Sequence, residues 1–349
     1  MKTRQLSAHA ATLETREAIA ALEQAAGILR GGGLVALPTE TVYGLGANAL
    51  DRAAVERIFA AKSRPAWDPI IVHVADREML AGLVSAVPES ARRLMDAFWP
   101  GPLTLLLPRT QVVPDVVTAG RPLVGVRMPS HPVALELIRR AGVPLAAPSA
   151  NRFGHISPTT AAHVLRDLDG RIDAIVDAGP TIHGVESTVL DPAPSPMVIY
   201  RPGAVTAEQI ATIGGPVQVY KSDEELGDVP AEALPSPGVG LRHYAPRARL
   251  VLIEAPDEEL AACLSDAANA ERGERLGIML PKGIAIPAGA LDARIYPWGN
   301  WGDAESLAQS LYAGLRALDA DGCAVILCPL PTAKGLGMAI RDRLRKAGT

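Results

Sequence analysis

A lysine and an arginine two positions apart, Lys62 and Arg64, are the charged pair in this chain with the clearest chemical use. A lysine ammonium is a compact point charge and an arginine guanidinium is a planar fork, so together they suit the oxygens of a phosphate chain. The pair also stands just before Pro65 at the end of a predicted helix, where solvated cations are favourable in their own right. On its own, this pair is compatible both with a phosphate-binding site and with an ordinary solvated helix end.

Hydroxyl groups and a carboxylate follow an apolar run at residues 34–37. The run predicts a buried strand, which Pro38 ends because proline cannot donate to a ladder. Residues 39–41 are Thr, Glu and Thr, and Gly44 and Gly46 come next. Because glycine permits close backbone approach, we expect a ligand-binding loop here, with a polar turn between two strands as the alternative.

A second apolar run, at residues 144–147, is followed in the same manner by Ser149 and Asn151. Ser157 comes six residues later. These neutral donors and acceptors suit phosphate, ribose or an amino acid, although serine and asparagine also serve in ordinary turns.

Four further polar residues lie in or beside predicted strands. His73, within the apolar residues 70–74, fits a hydrogen-bonded core histidine better than a ligand contact. Arg127 needs an anion if it is buried, so it is either a candidate for a substrate carboxylate or one half of a structural salt bridge. Ser187 opens a strand, and Arg201 closes the next one.

Several catalytic motifs are absent from the sequence. It has no Walker A motif, no GxGxxG after a strand, no GxSxG elbow and no HExxH. The candidate residues are positioning groups without an evident nucleophile and base. This favours a reaction driven by orientation and charge neutralisation, such as nucleotidyl transfer.

The elements that must position these residues are alternating helices and strands. Three predicted strands, at residues 174–177, 187–190 and 197–200, are joined by links too short for helical crossovers, so some must pair antiparallel. We therefore predict an α/β fold with an open, twisted mixed sheet and flanking helices.

The chain is predicted to have two domains. Residues 211–247 are rich in glycine, proline and charge and lack a sustained period, which predicts a linker between residues 1–210 and residues 248–349. In the last segment strands alternate with helices, which predicts a small Rossmann-like parallel α/β domain.

Composition narrows the class of protein. Hydrophobic residues make up 48% and charged residues 21%, as in ordinary globular proteins. Residues 1–210 carry equal numbers of basic and acidic side chains, which argues against a dedicated nucleic-acid binder. The N-terminus lacks a signal-peptide core and no apolar stretch has the length of a membrane span. The three cysteines fit buried thiols, so we expect a cytoplasmic protein.

Taken in order, the motifs resemble those of the L-threonylcarbamoyladenylate synthase family in its long form, which has a YrdC-like catalytic domain and a C-terminal domain. The resemblance covers nearly the whole chain. The matching segments are PTETVYGLG at 38–46, KSRP at 62–65, PIIVHV at 69–74, FWPGPLTLLL at 98–107, VGVRMPSHP at 124–132, APSANRFGHISPTT at 147–160, HGVESTVLD at 183–191, YRPGAVT at 200–206, SPGVGLRHYAP at 236–246 and LGMAIRDRLRKA at 336–347.

The resemblance implies a nucleotidyltransferase. It would make L-threonylcarbamoyl-AMP from L-threonine, bicarbonate or CO2, and ATP, and release pyrophosphate. The product would serve the t6A modification of adenosine 37 in tRNAs that read ANN codons. Implied partners are the downstream tRNA threonylcarbamoyl-transfer machinery and a weakly bound tRNA or other RNA, with no membrane. Mg²⁺ is implied as the cofactor, held through the ATP phosphates without an assigned protein ligand.

The resemblance also implies roles for single residues. Lys62 and Arg64 would be catalytic, and Tyr244 of the linker, with His243, would close over the nucleotide. The ATP side would comprise Lys62, Arg64, Asp68, Ser149, Asn151, Ser157, Arg201 and Tyr244, and the threonine side Thr41, His73, Arg127, Ala147 and Ser187.

Two departures from the family pattern stand out. Asp68 occupies a position where the family often has asparagine, and a carboxylate near phosphates is unfavourable unless it helps to hold Mg²⁺ or points away. Gly240 and Leu241 stand where a basic and an aromatic residue are common.

Two other functions remain as alternatives. A non-catalytic RNA-binding module of the same fold, active in ribosome assembly, would need a concave basic surface, which the zero net charge of residues 1–210 disfavours. A related enzyme that makes a carbamoyl adenylate from carbamoyl phosphate would carry further domains and zinc-finger cysteines, which this sequence lacks.

Overall fold

The structure, a computed structural model, describes residues 2–220, 236, 244–288, 290 and 292–348. These residues divide into two units, each with its own sheet. The first is drawn from Met1–Phe153, Ser157–Ile182 and Glu186–Gly240. The second is drawn from Gly154–Ile156, His183–Val185 and Leu241–Thr349.

The first unit is organised by a large mixed sheet, which has eleven strands when counted over the described residues. Along the chain these are β1 (Arg4–Ser7), β2 (Val35–Leu37), β3 (Gly44–Asn48), β4 (Val72–His73), β5 (Leu103–Pro108), β6 (Leu123–Arg127), β7 (Leu145–Ala146), β8 (Ala174–Asp177), β9 (Thr188–Asp191), β10 (Met197–Arg201) and β11 (Val217–Val219). Their order across the sheet is β1-β8-β2-β3-β7-β4-β6-β5-β9-β10-β11. Parallel and antiparallel pairs both occur, so the predicted mixed sheet is confirmed.

Helices pack on both faces of this sheet. They are α1 (Arg16–Arg30), α2 (Arg52–Lys62), α3 (Arg77–Leu83), α4 (Glu89–Phe98), α5 (Asp115–Thr118), α6 (Pro132–Ala141), α7 (Ala161–Leu168) and α8 (Ala207–Gly214). Leu34 and Ala36 belong to one core cluster, whereas Val35 and Leu37 belong to the other. Because successive strand residues point to opposite faces, burial of both faces explains the unbroken apolar run at β2.

The loop predicted after β2 is shorter than expected. Gly44–Asn48 form β3, which pairs antiparallel with β2 so that Val35 lies opposite Gly46. A Cβ added to Gly46 would lie 2.9 Å from Leu37 Cδ2 and 3.2 Å from the carbonyl oxygen of Val35. This glycine lets two strands approach each other, so the residues between β2 and β3 form a turn between two strands, which was the alternative; that Gly46 admits a ligand stays a prediction.

The large sheet extends beyond the predicted boundary at residue 210. Helix α8 continues to residue 214, Ile210 packs into the core, and β11 pairs parallel with β10. The assignment of residues 211–219 to a linker is therefore wrong. These residues form the end of a helix and an edge strand, but their glycines and proline give them a composition that is typical of a linker. Most of the remaining predicted linker, residues 221–235 and 237–243, lies outside the described residues.

The second unit is built on a small parallel sheet of four strands, counted over the described residues. They are β12 (Arg249–Ile253), β13 (Leu276–Lys282), β14 (Arg294–Asn300) and β15 (Val325–Pro329), in the order β12-β15-β13-β14, with helices α9 (Leu260–Ala270), α10 (Ala304–Ala320) and α11 (Leu336–Gly348). The predicted parallel α/β domain is confirmed. Strand β14 was not predicted because it contains Pro297. Proline is found in a strand mainly at the edge of a sheet, where β14 lies.

The cysteines are free thiols. Cys323 and Cys328 are buried as predicted, whereas Cys263 is half-buried. Burial raises the pKa of the Cys328 thiol well above its ordinary value. Among the described residues, no helix combines the length and the apolar character needed to cross a membrane.

Gly203 provides a test of the packing between β9 and the chain that follows β10. A Cβ at this position would lie 2.3 Å from the backbone nitrogen of Thr188 and 2.4 Å from the carbonyl carbon of Ser187. Because backbone atoms cannot move aside independently, Gly203→Ala should lower the free energy of unfolding in urea by about 1–3 kcal/mol.

Gly82→Ala is the matched control for this substitution. Gly82 lies in α3, and a Cβ there would meet nothing within 4 Å. Alanine in a helix should be neutral or raise the free energy of unfolding by about 0.5–1 kcal/mol. If the two variants were equally stable, the close packing at Gly203 would be refuted.

Candidate functional site

Polar side chains meet in one row across the large sheet. His73 on β4 pairs in register with Arg127 on β6. Farther along, Thr104 on β5 pairs with Val189 on β9, and Arg201 on β10 pairs with the same valine. Because paired residues on neighbouring strands point to the same face, the register gathers these side chains on one side of the sheet.

Arg127 is held by three groups of the first unit. Its Nη2 lies 2.5 Å from Glu40 Oε1, its Nη1 donates to Thr41 Oγ1 at 3.0 Å, and its Nε donates to the carbonyl oxygen of Gly101 at 3.2 Å. The side chains of Arg127 and Glu40 are only 4% and 2% exposed. A guanidinium has five N–H donors, so these three contacts leave two for a ligand. The structural salt bridge is therefore present, and it does not use all the donors of Arg127.

This buried pair influences the protonation of its surroundings. Burial opposes ionisation of Glu40, but the charge and hydrogen bond of Arg127 outweigh it and lower the pKa of Glu40. Burial, followed by the charge of Arg127, lowers the pKa of His73 to about 3. His73 is therefore neutral at physiological pH, and its Nδ1 makes no hydrogen bond to any described residue.

Lys62 lies in the last turn of α2 and is 1% exposed. Ser63 follows in the left-handed conformation, with φ 53°, and turns the chain away from the helix. The Nζ atom of Lys62 donates to the carbonyl oxygens of Ser149 and Asn151, each at 2.5 Å. Burial, followed by the charge of Arg64, lowers the pKa of Lys62 well below its ordinary value. The alternative of a solvated helix end is therefore wrong.

Arg64 and Asp68 form a second buried ion pair. Arg64 Nη2 lies 2.9 Å from Asp68 Oδ2, and the two side chains are 5% and 3% exposed. Arg64 also donates to the carbonyl oxygens of Asp68 and Pro69, at 3.2 and 2.8 Å. Asp68 Oδ1 makes no hydrogen bond to any described residue. Burial raises the pKa of the Asp68 carboxyl, while nearby cations, Arg64 foremost, act to lower it.

The segment after β7 meets Lys62 through its backbone. Ala147 and Asn151 are buried, and Asn151 Nδ2 donates to the carbonyl oxygen of Arg152 at 2.9 Å. The carbonyl groups of Ser149 and Asn151 are the acceptors for Lys62. The structure thus brings the two predicted motifs together, although sequence reasoning had considered only their side chains.

Arg201 and Ser187 are in direct contact. Arg201 Nε and Nη2 donate to the carbonyl oxygen of Ser187 at 3.1 and 2.9 Å, and Nη2 also donates to its Oγ at 3.1 Å. Ser187 Oγ shares a hydrogen bond with Thr104 Oγ1 at 2.8 Å. Ser157 Oγ donates to Glu186 Oε1 at 2.6 Å. Arg201, predicted for the nucleotide side, and Ser187, predicted for the threonine side, therefore belong to one hydrogen-bonded group.

Tyr244 belongs to the second unit. It is 1% exposed, its ring stacks on Tyr312 with centroids 5.7 Å apart, and the guanidinium of Arg343 lies 5.2 Å from its centroid. Its role over a nucleotide stays a prediction. His243 and the departures at residues 240 and 241 lie outside the described residues.

Three residues of the cluster had no role assigned from the sequence. Glu40 pairs with Arg127, and Thr104 and Glu186 bond to the two serines described above. A buried arginine requires an anion, so Arg127 did signal that a carboxylate partner exists. The sequence alone does not tell which carboxylate the fold brings to it.

The cluster suits anion binding more than metal binding. Within the part of the chain that the structure describes, no group of three or more His, Cys, Asp or Glu side chains could hold a metal ion. The buried cations and hydroxyl groups can orient an anionic ligand and neutralise its charge. A Mg²⁺ ion here would depend mainly on ligand phosphates, with Asp68 able to add a carboxylate oxygen.

Two family models together match nearly all of the chain. One, described as telomere recombination and covering Sua5, YciO and YrdC proteins, matches residues 27–203. The other, described as the C-terminal domain of threonylcarbamoyl-AMP synthase, matches residues 205–349.

Similar proteins of known name extend over the same length. Threonylcarbamoyl-AMP synthase from Pyrococcus abyssi (strain GE5 / Orsay) is 44% identical over 326 residues, 93% of this chain and 92% of that protein. The enzyme of that name from Bacillus subtilis (strain 168) is 44% identical over 328 residues, again 93% and 92%. A crystal structure of P. abyssi Sua5 complexed with L-threonine has a TM-score of 0.89 at 41% identity, and the match covers 99% of this chain and 98% of that one.

The low pKa of His73 predicts a particular pH dependence of stability. The unfolded histidine takes up a proton as the pH falls below about 6.5, but the folded one stays neutral until about 3. The unfolded state therefore binds more protons, and stability falls as the pH is lowered. His73→Gln should lower the slope of the unfolding free energy by about 0.7 kcal/mol per pH unit at pH 6.5, where the unfolded histidine is half protonated, and by about 1.4 kcal/mol per pH unit near pH 5.

The measurement is urea denaturation at several pH values. His9→Gln is the control, since His9 is exposed and its replacement should preserve the wild-type slope. A His73→Gln slope equal to that of wild type would show that His73 titrates normally.

Proposed function

Because the chain belongs to the family of Sua5, YciO and YrdC proteins and ends in the C-terminal domain of threonylcarbamoyl-AMP synthases, we infer that it synthesises L-threonylcarbamoyl-AMP. It is a nucleotidyltransferase that consumes L-threonine, bicarbonate or CO2, and ATP. The observation that carries this conclusion is the similarity to enzymes of that name over nine-tenths of its length. The product serves the t6A modification of adenosine 37 in tRNAs that read ANN codons.

The reaction requires positioning more than covalent catalysis. The neutral amine of threonine adds to CO2 and loses a proton to solvent, which gives a carbamate anion. A carbamate oxygen then attacks the α-phosphorus of ATP, the bond from that phosphorus to the bridging oxygen breaks, and pyrophosphate leaves. The protein must align the two reactants and neutralise the triphosphate. A cluster of buried cations and hydroxyl groups suits both tasks.

The threonine half of the proposed site is centred on Arg127. Glu40 already neutralises this arginine, so a threonine carboxylate would meet its two remaining N–H groups as hydrogen-bond donors. Neutral His73 would orient the substrate without supplying charge. Thr41, Ala147 and Ser187 complete the proposed threonine side.

The triphosphate half is centred on Lys62, Arg64 and Arg201, with Ser149, Asn151, Ser157 and Asp68 beside them. An incoming phosphate would favour the charged form of Lys62, whose pKa burial now depresses. The phosphate would then replace backbone carbonyls as the acceptor for its ammonium group. A Mg²⁺ ion bound with ATP would neutralise part of the charge of the triphosphate, and Asp68 is the side chain here that could help to hold it. The unsatisfied Asp68 Oδ1 supports such an ion.

Other parts of the proposal concern location and partners. We place the protein in the cytoplasm, where ATP and tRNA are found and where free thiols persist. The downstream tRNA threonylcarbamoyl-transfer machinery would receive its product. The lid predicted from residues 236–246, which would exclude water from a labile mixed anhydride, lies mostly outside the described residues and stays a prediction.

The alternative of a non-catalytic RNA-binding module gains no support from the cluster. A phosphate backbone is bound by cations that reach solvent. Lys62, Arg127 and Arg201 are 1%, 3% and 6% exposed, so they are not available to a large polyanion.

Lys62→Met should remove most of the synthesis. Loss of one preorganised charged donor costs about 10²–10³-fold in turnover. The measurement is incubation with ATP, threonine, bicarbonate and Mg²⁺, followed by identification of the nucleotide product by mass. Lys282→Met, at an exposed position, is the control and should keep full activity.

Arg64→Ala is a poorer probe because it leaves a buried carboxylate without its partner, which costs about 3–5 kcal/mol of stability. Wild-type turnover by the Lys62 variant would remove this residue from the proposed mechanism.

Threonine should be preferred to serine and valine in the same assay. Serine lacks a methyl group, which costs about 1–3 kcal/mol in a fitted pocket. Valine lacks the hydroxyl, so a polar group built to meet it would be left without a partner. Equal kcat/KM values for the three amino acids would mean that the site does not read the side chain.

A further inference from the structure

The carboxylate of Asp68 is used on one side only. Its Oδ2 oxygen lies 2.9 Å from Arg64 Nη2, whereas Oδ1 makes no hydrogen bond to any described residue. The side chain is 3% exposed, so water cannot readily satisfy the second oxygen. A buried carboxylate oxygen without a partner costs free energy, which a ligand that supplies positive charge would recover.

The surroundings of Asp68 determine the kind of ligand. The charges of Arg64, Lys62 and Arg201 all act on this carboxylate. With a phosphate beside it, Lys62 would be charged like the two arginines, so the three cations and the carboxylate would then carry a net charge of about plus two. ATP carries about four negative charges at neutral pH, and one Mg²⁺ ion reduces this to about two. The cluster thus complements the metal complex of ATP better than it complements free ATP.

We propose that Asp68 is a direct ligand of the Mg²⁺ ion that accompanies ATP, through the Oδ1 oxygen that Arg64 leaves without a partner. The inference rests on the proposed function, because it assumes that the triphosphate lies at this cluster. Mg²⁺ usually takes one or two carboxylates together with phosphate oxygens and water. A single carboxylate is therefore enough, in agreement with the lack of a larger metal-binding group among the described residues.

A second role for Asp68 has to be distinguished from this one. The carboxylate could serve only to hold Arg64 in place, in which case it would be a positioning residue for the nucleotide. Removal of a positioning residue weakens nucleotide binding to the same extent with and without metal. Removal of a metal ligand weakens only the binding that depends on metal. The decisive quantity is therefore the factor by which the metal strengthens nucleotide binding.

The experiment measures the affinity of the full-length protein for α,β-methylene-ATP, in which the bond that would break is blocked. Titrations are made with Mn²⁺, which stands in for Mg²⁺, and with EDTA. Asp68→Asn keeps the shape of the side chain and removes its charge. The factor by which Mn²⁺ strengthens binding should fall at least about tenfold in this variant. With EDTA, the variant should bind at least as tightly as wild type, because a repulsive carboxylate is gone.

Electron paramagnetic resonance of free Mn²⁺ gives an independent readout. At saturating α,β-methylene-ATP, the dissociation constant of Mn²⁺ should be about tenfold higher for Asp68→Asn than for wild type. Asp96→Asn is the matched control, since Asp96 also pairs with an arginine, Arg77, but both side chains are more than half exposed. This control should behave as wild type in both titrations.

The possible failures are distinguishable. In one outcome, Mn²⁺ strengthens nucleotide binding by the same factor in Asp68→Asn as in wild type, and the variant binds more weakly in EDTA. Asp68 would then be a positioning residue, and the proposal would be overturned while the proposed enzyme function stood. Wild-type protein that binds no nucleotide with either addition would overturn the proposed function and this inference with it. Binding by Asp68→Asn in EDTA also shows that the variant is folded.

Discussion

A charge that leaves water must be given a partner, and this constraint governs the polar cluster of the first unit. Lys62, Arg64, Arg127 and Arg201 are each at least nine-tenths buried. Lys62 is satisfied by two carbonyl oxygens, Arg64 and Arg127 by carboxylates, and Arg201 by a serine. Because buried ion pairs add little net stability, folding alone gives no reason to assemble four of these cations, whereas the binding of an anionic substrate does.

The mixed order of the large sheet makes this assembly feasible. Residues far apart in the chain, such as His73 and Arg127, become neighbours because β4 and β6 pair directly. The turn after β2 then brings Glu40 and Thr41 to the same arginine. Since register in a buried sheet is fixed by which face is apolar, the hydrophobic core also fixes the positions of the polar groups. Core packing and site geometry are therefore one constraint.

Local patterns in the sequence predicted most elements because each reflects burial of its own side chains. The apolar runs at β2 and β5 and the capped helix α1 are of this kind. Strand β3 was not predicted, because its glycines are typical of a loop unless the neighbouring strand is known. Strand β14 was not predicted because it contains a proline. The motifs located Lys62 and Asn151 but not their contact, since it runs through a backbone carbonyl that residue type does not encode. Glu40 was visible as a carboxylate, but its partner depended on the register of distant strands.

The internal pairing of the cations has a consequence for how an anionic substrate would bind. Each cation is already desolvated and oriented, so a phosphate or carboxylate would exchange one acceptor for another, and its negative charge would be met by cations that are already in place. The desolvation cost is met during folding, and little reorganisation is left for the reaction itself. Lys62 illustrates this exchange, because its ammonium group is held by two carbonyl oxygens that a phosphate oxygen can replace. The same side chains that are costly to bury in the free protein would thereby be prepared for the proposed triphosphate.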